Sequence, residues 1–188
     1  MNHIYQEEQF GQNWFTYPRL YTEMVTKFPS GSKFVEVGSW KGKSSAYMAV
    51  EIANSRKDIN FYCVDHWLGS IEHYDRSTHM YEPNISKLYE TFISNMDPVK
   101  DYYTPLRMSS KEAATKFEDS SLDFVFVDAS HQYEDVCEDI DIWIPKVKSG
   151  GFLAGHDYQQ SFPGVIKAVN EKINGFYVSE SCWIHQVK

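Results

Sequence analysis

The sequence lacks the features that mark several large classes of protein. Its three cysteines, Cys63, Cys137 and Cys182, are odd in number and far apart, with no Cys-x-x-Cys pair. Neither a disulfide framework nor a zinc finger is therefore indicated, and buried thiols are expected. No apolar run approaches the roughly 20 residues of a membrane helix, and the polar start has no signal-peptide core. We expect a cytoplasmic protein with no membrane partner.

Positive charge is also scarce. The chain has 18 Lys and Arg against 26 Asp and Glu, which gives a net charge of −8. Such a field repels polyanions, so nucleic acid is not an expected partner. A small molecule is the expected ligand, and the sequence leaves open whether the protein forms a homo-oligomer.

The length and composition indicate one domain. The 188 residues are 42% apolar and 23% charged, as is typical of a globular domain with one core. We therefore treat residues 1–188 as a single domain. The one candidate insertion is the polar, largely non-periodic segment 66–84, a length typical of a lid or substrate loop. Its histidines, His66, His73 and His79, match no common zinc spacing.

Short apolar runs alternate with helical patterns along the chain. Five runs predict strands: Lys33–Val37, Asn60–Val64, Tyr102–Met108, Leu122–Val127 and Phe152–Ala154. Apolar residues at helical spacing predict six helices: 18–27, 44–54, 85–96, 111–116, 133–143 and 163–174. Two last runs, 176–179 and 182–187, suggest a hairpin. This alternation predicts an α/β fold with a mostly parallel sheet and right-handed crossovers.

One predicted helix, Tyr133–Trp143, carries many acids. Its apolar side is formed by Val136, Ile140 and Trp143. We interpret the acids as a solvated face rather than a metal site; they are Glu134, Asp135, Glu138, Asp139 and Asp141.

Polar residues follow the ends of the predicted strands. Gly38, Asp65, Asp128 and the pair His156-Asp157 each come directly after a strand. Ligands of open α/β sheets bind at the carboxyl ends of the strands. We therefore expect these residues to line one rim.

The first strand is followed by the turn Gly38-Ser39-Trp40-Lys41-Gly42. A dinucleotide-binding turn needs glycine where Trp40 stands, because the pyrophosphate approaches the backbone there. A phosphate-binding P-loop needs one more residue between its glycines than this turn has. The near match to Gly42-Lys43-Ser44 keeps a P-loop NTPase as an alternative.

The pattern Glu-x-Gly-x-x-x-Gly over 36–42, with Asp65 after the next strand, resembles the S-adenosylmethionine (SAM) site of class I methyltransferases. The resemblance extends over 35–169 and includes Asp-Ala-Ser-His at 128–131 and Gly-His-Asp-Tyr at 155–158, as in small bacterial and phage methyltransferases. It implies a Rossmann-like fold with a seven-stranded, mostly parallel sheet and a C-terminal antiparallel hairpin. It also implies SAM as the cofactor.

The resemblance implies a set of cofactor-binding residues. Those around the methionine part of SAM are Glu36, Gly38, Ser39 and Gly42. Asp65 would accept the two ribose hydroxyls, as a carboxylate's two oxygens allow. His66 and Trp67 would lie beside the ribose or adenine, and Ser109 and Ser110 would contact the adenine. Asp128 is a further cofactor-binding candidate. For the two serines a role as helix caps is an equal alternative.

Methyl transfer to a hydroxyl needs the acceptor to be positioned and its proton removed. The candidate catalytic residues are Asp128, His131 and His156. In magnesium-dependent relatives, acids at these positions hold the metal, so Asp128 and Asp157 are candidate ligands of a divalent cation such as Mg²⁺. A metal-free histidine base is the alternative. The implied function is methylation of a small-molecule hydroxyl, such as that of a sugar or natural product; a SAM-binding module without activity is a further alternative.

Overall fold

The chain folds around one seven-stranded sheet in the computed structural model, which describes residues 1–11 and 13–188. The strands are β1 (Lys33–Val37), β2 (Asn60–Asp65), β3 (Thr104–Arg107), β4 (Leu122–Val127), β5 (Val147–Gly155), β6 (Phe176–Ser179) and β7 (Cys182–Gln186). The α-helices are α1 (Pro18–Lys27), α2 (Lys43–Ser55), α3 (Leu88–Met96), α4 (Ser110–Ala114), α5 (Tyr133–Trp143) and α6 (Pro163–Lys172).

The strand order in the sheet is β3-β2-β1-β4-β5-β7-β6. Neighbouring strands from β3 to β5 pair in parallel, whereas β7 runs antiparallel to both β5 and β6. The predicted α/β fold with a C-terminal antiparallel hairpin is therefore confirmed. β3 lies at a sheet edge, where its Pro105 is tolerated because an edge strand needs fewer backbone donors.

The two faces of the sheet pack on different helices. Because side chains alternate along a strand, Phe124 and Phe126 of β4 face the core with α1 and α2, and Val125 and Val127 face the core with α5 and α6. All four side chains are almost fully buried. Part of the high aromatic content, 16% of the residues, is thus explained by one phenylalanine-rich face.

The strand register aligns the carboxyl ends of the central strands. Val37 of β1 is paired with both Val64 and Val127, and Val127 is paired with Gly155. The residues that follow these strands therefore leave the sheet side by side. Gly38 has φ +92°, and a Cβ there would lie 2.0 Å from the carbonyl oxygen of Asp128, so this turn requires glycine.

The main differences from the predicted elements are several short 3₁₀ helices and a longer β5, which begins at Val147 instead of Phe152. The segment 66–84 contains a 3₁₀ turn at Ile71–His73, and another 3₁₀ helix, Asp97–Tyr102, follows α3. Among residues 1–11 and 13–188, no helix is long and apolar enough to cross a membrane.

Candidate functional site

A cavity of about 660 Å³ opens at the carboxyl ends of the parallel strands. It is lined by the turns after β1, β2, β3, β4 and β5, by the loop 66–84 and by a segment before α1. Gly38, Asp65, Asp128 and His156 all line this cavity. The register of the central strands thus brings the residues of the predicted rim together.

Asp65, the last residue of β2, lines one side of this cavity. Its carboxylate accepts backbone hydrogen bonds from Trp40 at 2.9 Å and from Trp67 at 2.6 Å. Burial raises the pKa of this carboxyl, and these two hydrogen bonds oppose the rise. The Ser39 backbone adds to this stabilisation, and a carboxylate offers about four acceptor sites in all. The side chain is therefore held in place with acceptor capacity to spare. His66 also lines the cavity.

Glu36 is enclosed rather than open to the cavity. It is 1% exposed, and its carboxylate accepts hydrogen bonds from Tyr21 at 2.8 Å, from Ser39 at 2.9 Å and from Ser45. Burial raises the pKa of Glu36, against these hydrogen bonds. Ser39 lines the cavity, but Glu36 is not among the lining residues. In this structure Glu36 supports the turn from behind.

Two other expected cofactor residues also lie outside the cavity lining. The Trp67 ring is 2% exposed and packs against Tyr89 and Phe92, and its Nε1 donates to the carbonyl of Trp40 at 2.8 Å. A Cβ at Gly42 would meet the Met96 side chain at 2.9 Å. The expectation that Trp67 lies beside the ribose is corrected to a core position, because its apolar ring finds a full set of apolar neighbours behind the loop.

The side of the cavity that follows β4 and β5 holds a cluster of acids and histidines. His156 Nδ1 lies 3.4 Å from a carboxylate oxygen of Asp157 and 3.7 Å from one of Asp128. One ligand atom from each of these three residues lies within 4.8 Å of the other two. Burial lowers the pKa of His156, but Asp128 and Asp157 outweigh it and raise the pKa to about 10.

His131 lies between two further carboxylates. Its Nδ1 is 2.9 Å from Glu72 and its Nε2 is 3.0 Å from Asp157. Burial opposes its charged form, but these carboxylates prevail and its pKa is raised. The pKa of Asp157 is lowered, because His131 and His156 outweigh the effect of its burial. The cluster is thus a continuous polar network that starts in the loop 66–84.

We call residues 13–17 the N-terminal strap, because they line the cavity beside this cluster. Thr16 Oγ1 lies 3.0 Å from His156 Nε2, and the Tyr17 hydroxyl donates to Asp128 at 2.6 Å. The ring of Trp14 lies 6.2 Å from that of Trp40. The strap therefore contacts the cluster directly and covers part of the cavity.

The loop 66–84 covers the other side and is fastened at two places. A buried ion pair joins Lys41, in the turn after β1, to Glu82, and Glu72 bonds to His131. Between them His73 stacks on Trp40, with ring centroids 4.1 Å apart. Burial lowers the pKa of His73, which favours the neutral ring that stacks there.

The serines after β3 have both structural and cavity-lining positions. Ser109 caps α4, where it accepts a hydrogen bond from the Glu112 backbone, and both Ser109 and Ser110 line the cavity. The Ser110 hydroxyl donates to Asp139 and accepts from Trp143 Nε1 at 2.8 Å. The interpretation of the α5 acids as a solvated face is therefore wrong for Asp139, which is 7% exposed.

Asp139 is expected to destabilise the fold at neutral pH. Burial raises the pKa of its carboxyl to about 6; Ser110 opposes the rise, and Asp135 and Glu138 add to it. The folded-state pKa of about 6 lies above the unfolded value of 3.8. The protonated carboxyl therefore stabilises the fold fully below pH 3.8, and this stabilisation is lost as the pH rises through about 6. The ionised carboxylate then costs up to about 3 kcal/mol.

We therefore expect Asp139→Asn to increase the free energy of unfolding at about pH 7.5, by up to about 3 kcal/mol more than at about pH 4. Urea unfolding of both proteins at the two pH values measures this difference. An effect of Asp139→Asn that is the same at both pH values would contradict the prediction.

Several residues of the site were not predicted from the sequence to be functional. They are the strap residues and Asp139, which line the cavity, and Glu72, which contacts His131 without lining the cavity. The strap had one available signal, the density of aromatic residues over 10–21. Glu72 had none, because its contact with His131 spans 59 positions.

A sheet of this order, with a cavity at the carboxyl ends and an acid after β2 facing it, has the architecture of a class I methyltransferase. The chain belongs to the methyltransferase-domain family, whose sequence profile matches residues 35–158. The expected class is therefore confirmed, and the alternative of a P-loop NTPase is not retained. The family implies SAM as the cofactor.

Two relatives share part of this sequence. The protein y4gI of Sinorhizobium fredii is 29% identical over 125 residues, which are 66% of this chain but 13% of that protein. The protein R132 of Acanthamoeba polyphaga mimivirus is 26% identical over 174 residues, 88% of this chain and 71% of that one. The chain thus spans a small part of the bacterial relative.

Two solved structures, one of them an O-methyltransferase, have a similar fold. The O-methyltransferase NovP superposes with a TM-score of 0.67 at 17% identity, covering 90% of this chain and 77% of NovP. Cofactor-bound Rv0187 from MTB superposes with a TM-score of 0.60 at 13% identity, covering 92% of this chain and 78% of that one. At these identities the likeness establishes the fold.

Proposed function

We propose that the protein transfers the methyl group of SAM to a hydroxyl of a small-molecule acceptor. The observation that carries this proposal is that Asp65 and the cluster of Asp128, His131, His156 and Asp157 line one cavity. One carboxylate on the β2 side and a group of acids and histidines on the β4 and β5 side thus share one cavity, which supports the binding of a cofactor and an acceptor next to each other.

The cofactor end is assigned to residues of the first two strand-end turns. Asp65 accepts the ribose hydroxyls, because it lines the cavity and its backbone donors leave part of the carboxylate's acceptor capacity free. Gly38 and Ser39 lie along the methionine part, where the glycine backbone permits close approach. Glu36 acts behind them by holding Ser39, to which it is bonded at 2.9 Å. When bound, SAM supplies an electrophilic methyl group on sulfur.

The acceptor end suits a compact polyhydroxy compound such as a sugar. Its lining includes amide and hydroxyl groups that can bond to hydroxyls in either direction; they are Asn13, Thr16, Gln159, Ser161 and Ser181. The ring of Trp14 lines the same space, and an aromatic face packs against the C–H face of a sugar ring. The NovP structure, which its name describes as an O-methyltransferase, supports a hydroxyl acceptor by analogy of fold.

His131 is assigned as the base that removes the proton from the acceptor hydroxyl. A candidate base must lie within hydrogen-bond reach of the hydroxyl, and the His131 ring lines the cavity between Glu72 and Asp157. The step starts from the neutral ring, which carries its proton on Nδ1 toward Glu72 and leaves Nε2 unprotonated. The proton taken at Nε2 is then stabilised by the Asp157 carboxylate, and because the pKa of His131 is raised, turnover is expected to increase with pH. Asp128 has the most exposed side chain of the two acids in the cluster, 23% against 12% for Asp157. It orients the acceptor by accepting a hydrogen bond from a neighbouring hydroxyl of the same compound.

A divalent cation is the second candidate for the same cluster. Asp128, His156 and Asp157 offer two carboxylates and one imidazole nitrogen within 4.8 Å of one another. The donor set fits a metal, since Thr16 lies 3.0 Å from His156 Nε2 and thereby leaves Nδ1 toward the acids, as in metal-ligating histidines. The imidazole favours Mn²⁺ or Zn²⁺ over Mg²⁺. A cation there would lower the pKa of an acceptor hydroxyl.

Two experiments test the proposal. Calorimetry of the full chain with SAM and with S-adenosylhomocysteine (SAH) is expected to show saturable binding of both. Incubation with SAM tritiated at its methyl group is then expected to label some members of a panel of glycosides and phenols. Repeating the assay after treatment with EDTA, with and without added Mn²⁺ or Mg²⁺, separates the metal from the histidine base.

The outcomes are distinct. Binding of magnesium-ATP without any response to SAM or SAH would overturn the methyltransferase proposal. Binding of SAH with no labelled acceptor would favour a SAM-binding module without activity. Full activity after EDTA treatment would eliminate the cation, whereas activity that returns only with metal would favour it over a metal-free base.

A further inference from the structure

Beyond Asp65, the cavity wall is formed by the end of β3 and by residues of α4 and α5, and we call this part of the cavity the α4–α5 compartment. Its lining there includes Met108, Ser109 and Ser110 from the end of β3 and the start of α4, and Asp135 and Asp139 from α5. If Asp65 binds the ribose hydroxyls, the base attached to that ribose extends into the space beside it. The compartment is therefore where an adenine would lie, and this step rests on the proposed function.

Asp139 is the buried polar group of this compartment. It is 7% exposed, and it lines the cavity. Ser110 is the one hydrogen-bond donor that the described residues give its carboxylate, and the bond goes to Oδ1. The remaining oxygen, Oδ2, keeps its capacity to accept a hydrogen bond from a ligand.

Ser110 itself has no proton left for a ligand. Its hydroxyl donates to Asp139 and accepts from Trp143 Nε1 at 2.8 Å. A hydroxyl has one proton to donate, so this proton is committed to the carboxylate. Ser110 and Trp143 thus fix the orientation of Asp139, and the carboxylate is the acceptor that they present.

The charges near Asp139 do not neutralise it. Asp135 and Glu138, on the same helix, raise its pKa, as burial does. The cation of Lys111, on α4, forms its ion pair with Glu138, at 2.6 Å, and not with Asp139. A buried, poorly compensated carboxylate costs stability, and such groups are concentrated at functional sites.

We infer that Asp139 recognises the exocyclic amino group of the cofactor's adenine. That group carries two N–H donors, whereas an ionised carboxylate only accepts hydrogen bonds. A purine without the amino group would leave the buried carboxylate without a partner, and such a loss costs more than the bond itself contributes. Asp139 is therefore a specificity-determining residue for adenine, reached through the Ser110 network.

The test compares two ligands on three proteins. Calorimetry measures the dissociation constants of SAH and of its analogue in which the amino group is replaced by hydrogen. The wild type is expected to bind SAH at least about tenfold more tightly than the analogue, as for a hydrogen bond to a charged group. In Asp139→Leu, which has a similar shape and no acceptor, the two ligands are expected to bind about equally.

Asp141→Asn is the matched control. It removes the same charge from the same helix at an exposed position paired with Lys172, and it is expected to keep the wild-type ratio. Asp139→Asn serves as a milder variant if Asp139→Leu does not fold, and its ratio is expected to be reduced. Melting temperatures verify that each variant is folded.

Two results have separate meanings. Failure of the wild type to bind SAH contradicts the proposed function. Binding of SAH with a ratio that is unchanged in the folded Asp139 variants, or with no preference in the wild type, contradicts the assignment of Asp139 alone.

Discussion

His131→Ala is expected to lower the rate of methyl transfer at least about 100-fold, the usual minimum contribution of a positioned base. The Kd for SAH is expected to stay within about threefold of the wild-type value, because His131 lies at the acceptor end, across the cavity from Asp65. The ring is held by Glu72 at 2.9 Å and by Asp157 at 3.0 Å. Tritium transfer to the acceptor found in the screen measures the rate, and calorimetry measures binding.

Glu72 provides a second readout of the same arrangement. Glu72→Gln keeps an oxygen that accepts the proton on His131 Nδ1, so its loss of kcat is expected to be smaller than that of Glu72→Ala. A merely structural role for Glu72 would not produce this rescue by the conservative variant.

The matched control for His131→Ala is His185→Ala. His185 lies on β7, where its Nδ1 contacts the carbonyl of Gly175, and it does not line the cavity. Its replacement is expected to leave turnover near the wild-type value. Wild-type turnover in His131→Ala, or loss of SAH binding in that variant, would contradict the assignment of His131 as the base.

Asp65→Asn is expected to weaken SAH binding at least about 100-fold, because two hydrogen bonds to a charged group are affected, each worth about 1.5–3 kcal/mol. The amide has one acceptor oxygen instead of two, and its NH₂ group faces donors. Asp65→Ala is expected to abolish detectable binding. Calorimetry with SAH measures both variants.

A structural effect of Asp65 has to be separated from a binding effect. The carboxylate also accepts the backbone N–H groups of Trp40 and Trp67, so these variants can disturb the turns themselves. Melting temperatures report that disturbance, and Asp58→Asn, an exposed acid just before β2, is the charge-matched control. A folded Asp65→Asn protein with wild-type affinity for SAH would contradict the ribose assignment.

The strand-end residues were predictable because their cause is local. β-branched and aromatic runs predict the strands, and parallel strands place their carboxyl ends at one edge. Gly38, Asp65, Asp128 and His156 follow from this rule without knowledge of the strand order. The same rule predicts the extent of the site, which is a row of turns across the centre of the sheet.

The partners of those residues were not predictable in this way. Glu72, which orients His131, and Tyr17, which bonds to Asp128, lie 59 and 111 positions from their partners. Such contacts depend on where a loop and a chain segment cross the sheet, and no spacing rule describes this. The burial of Asp139 was not predictable either. Amphipathic spacing shows which side of α5 faces the sheet, but it does not show that Ser110 and Trp143 cover an acid at the border of that side.

The amino-acid sequence alone thus determined the fold class and the position of the site, because both depend on hydrophobic periodicity and on the residues that end each strand. The tertiary structure decided which of those residues are open to a ligand. Glu36 and Trp67 lie behind the cavity wall and Asp139 lies in it, since packing against distant segments, rather than proximity to a motif, sets the exposure of each side chain.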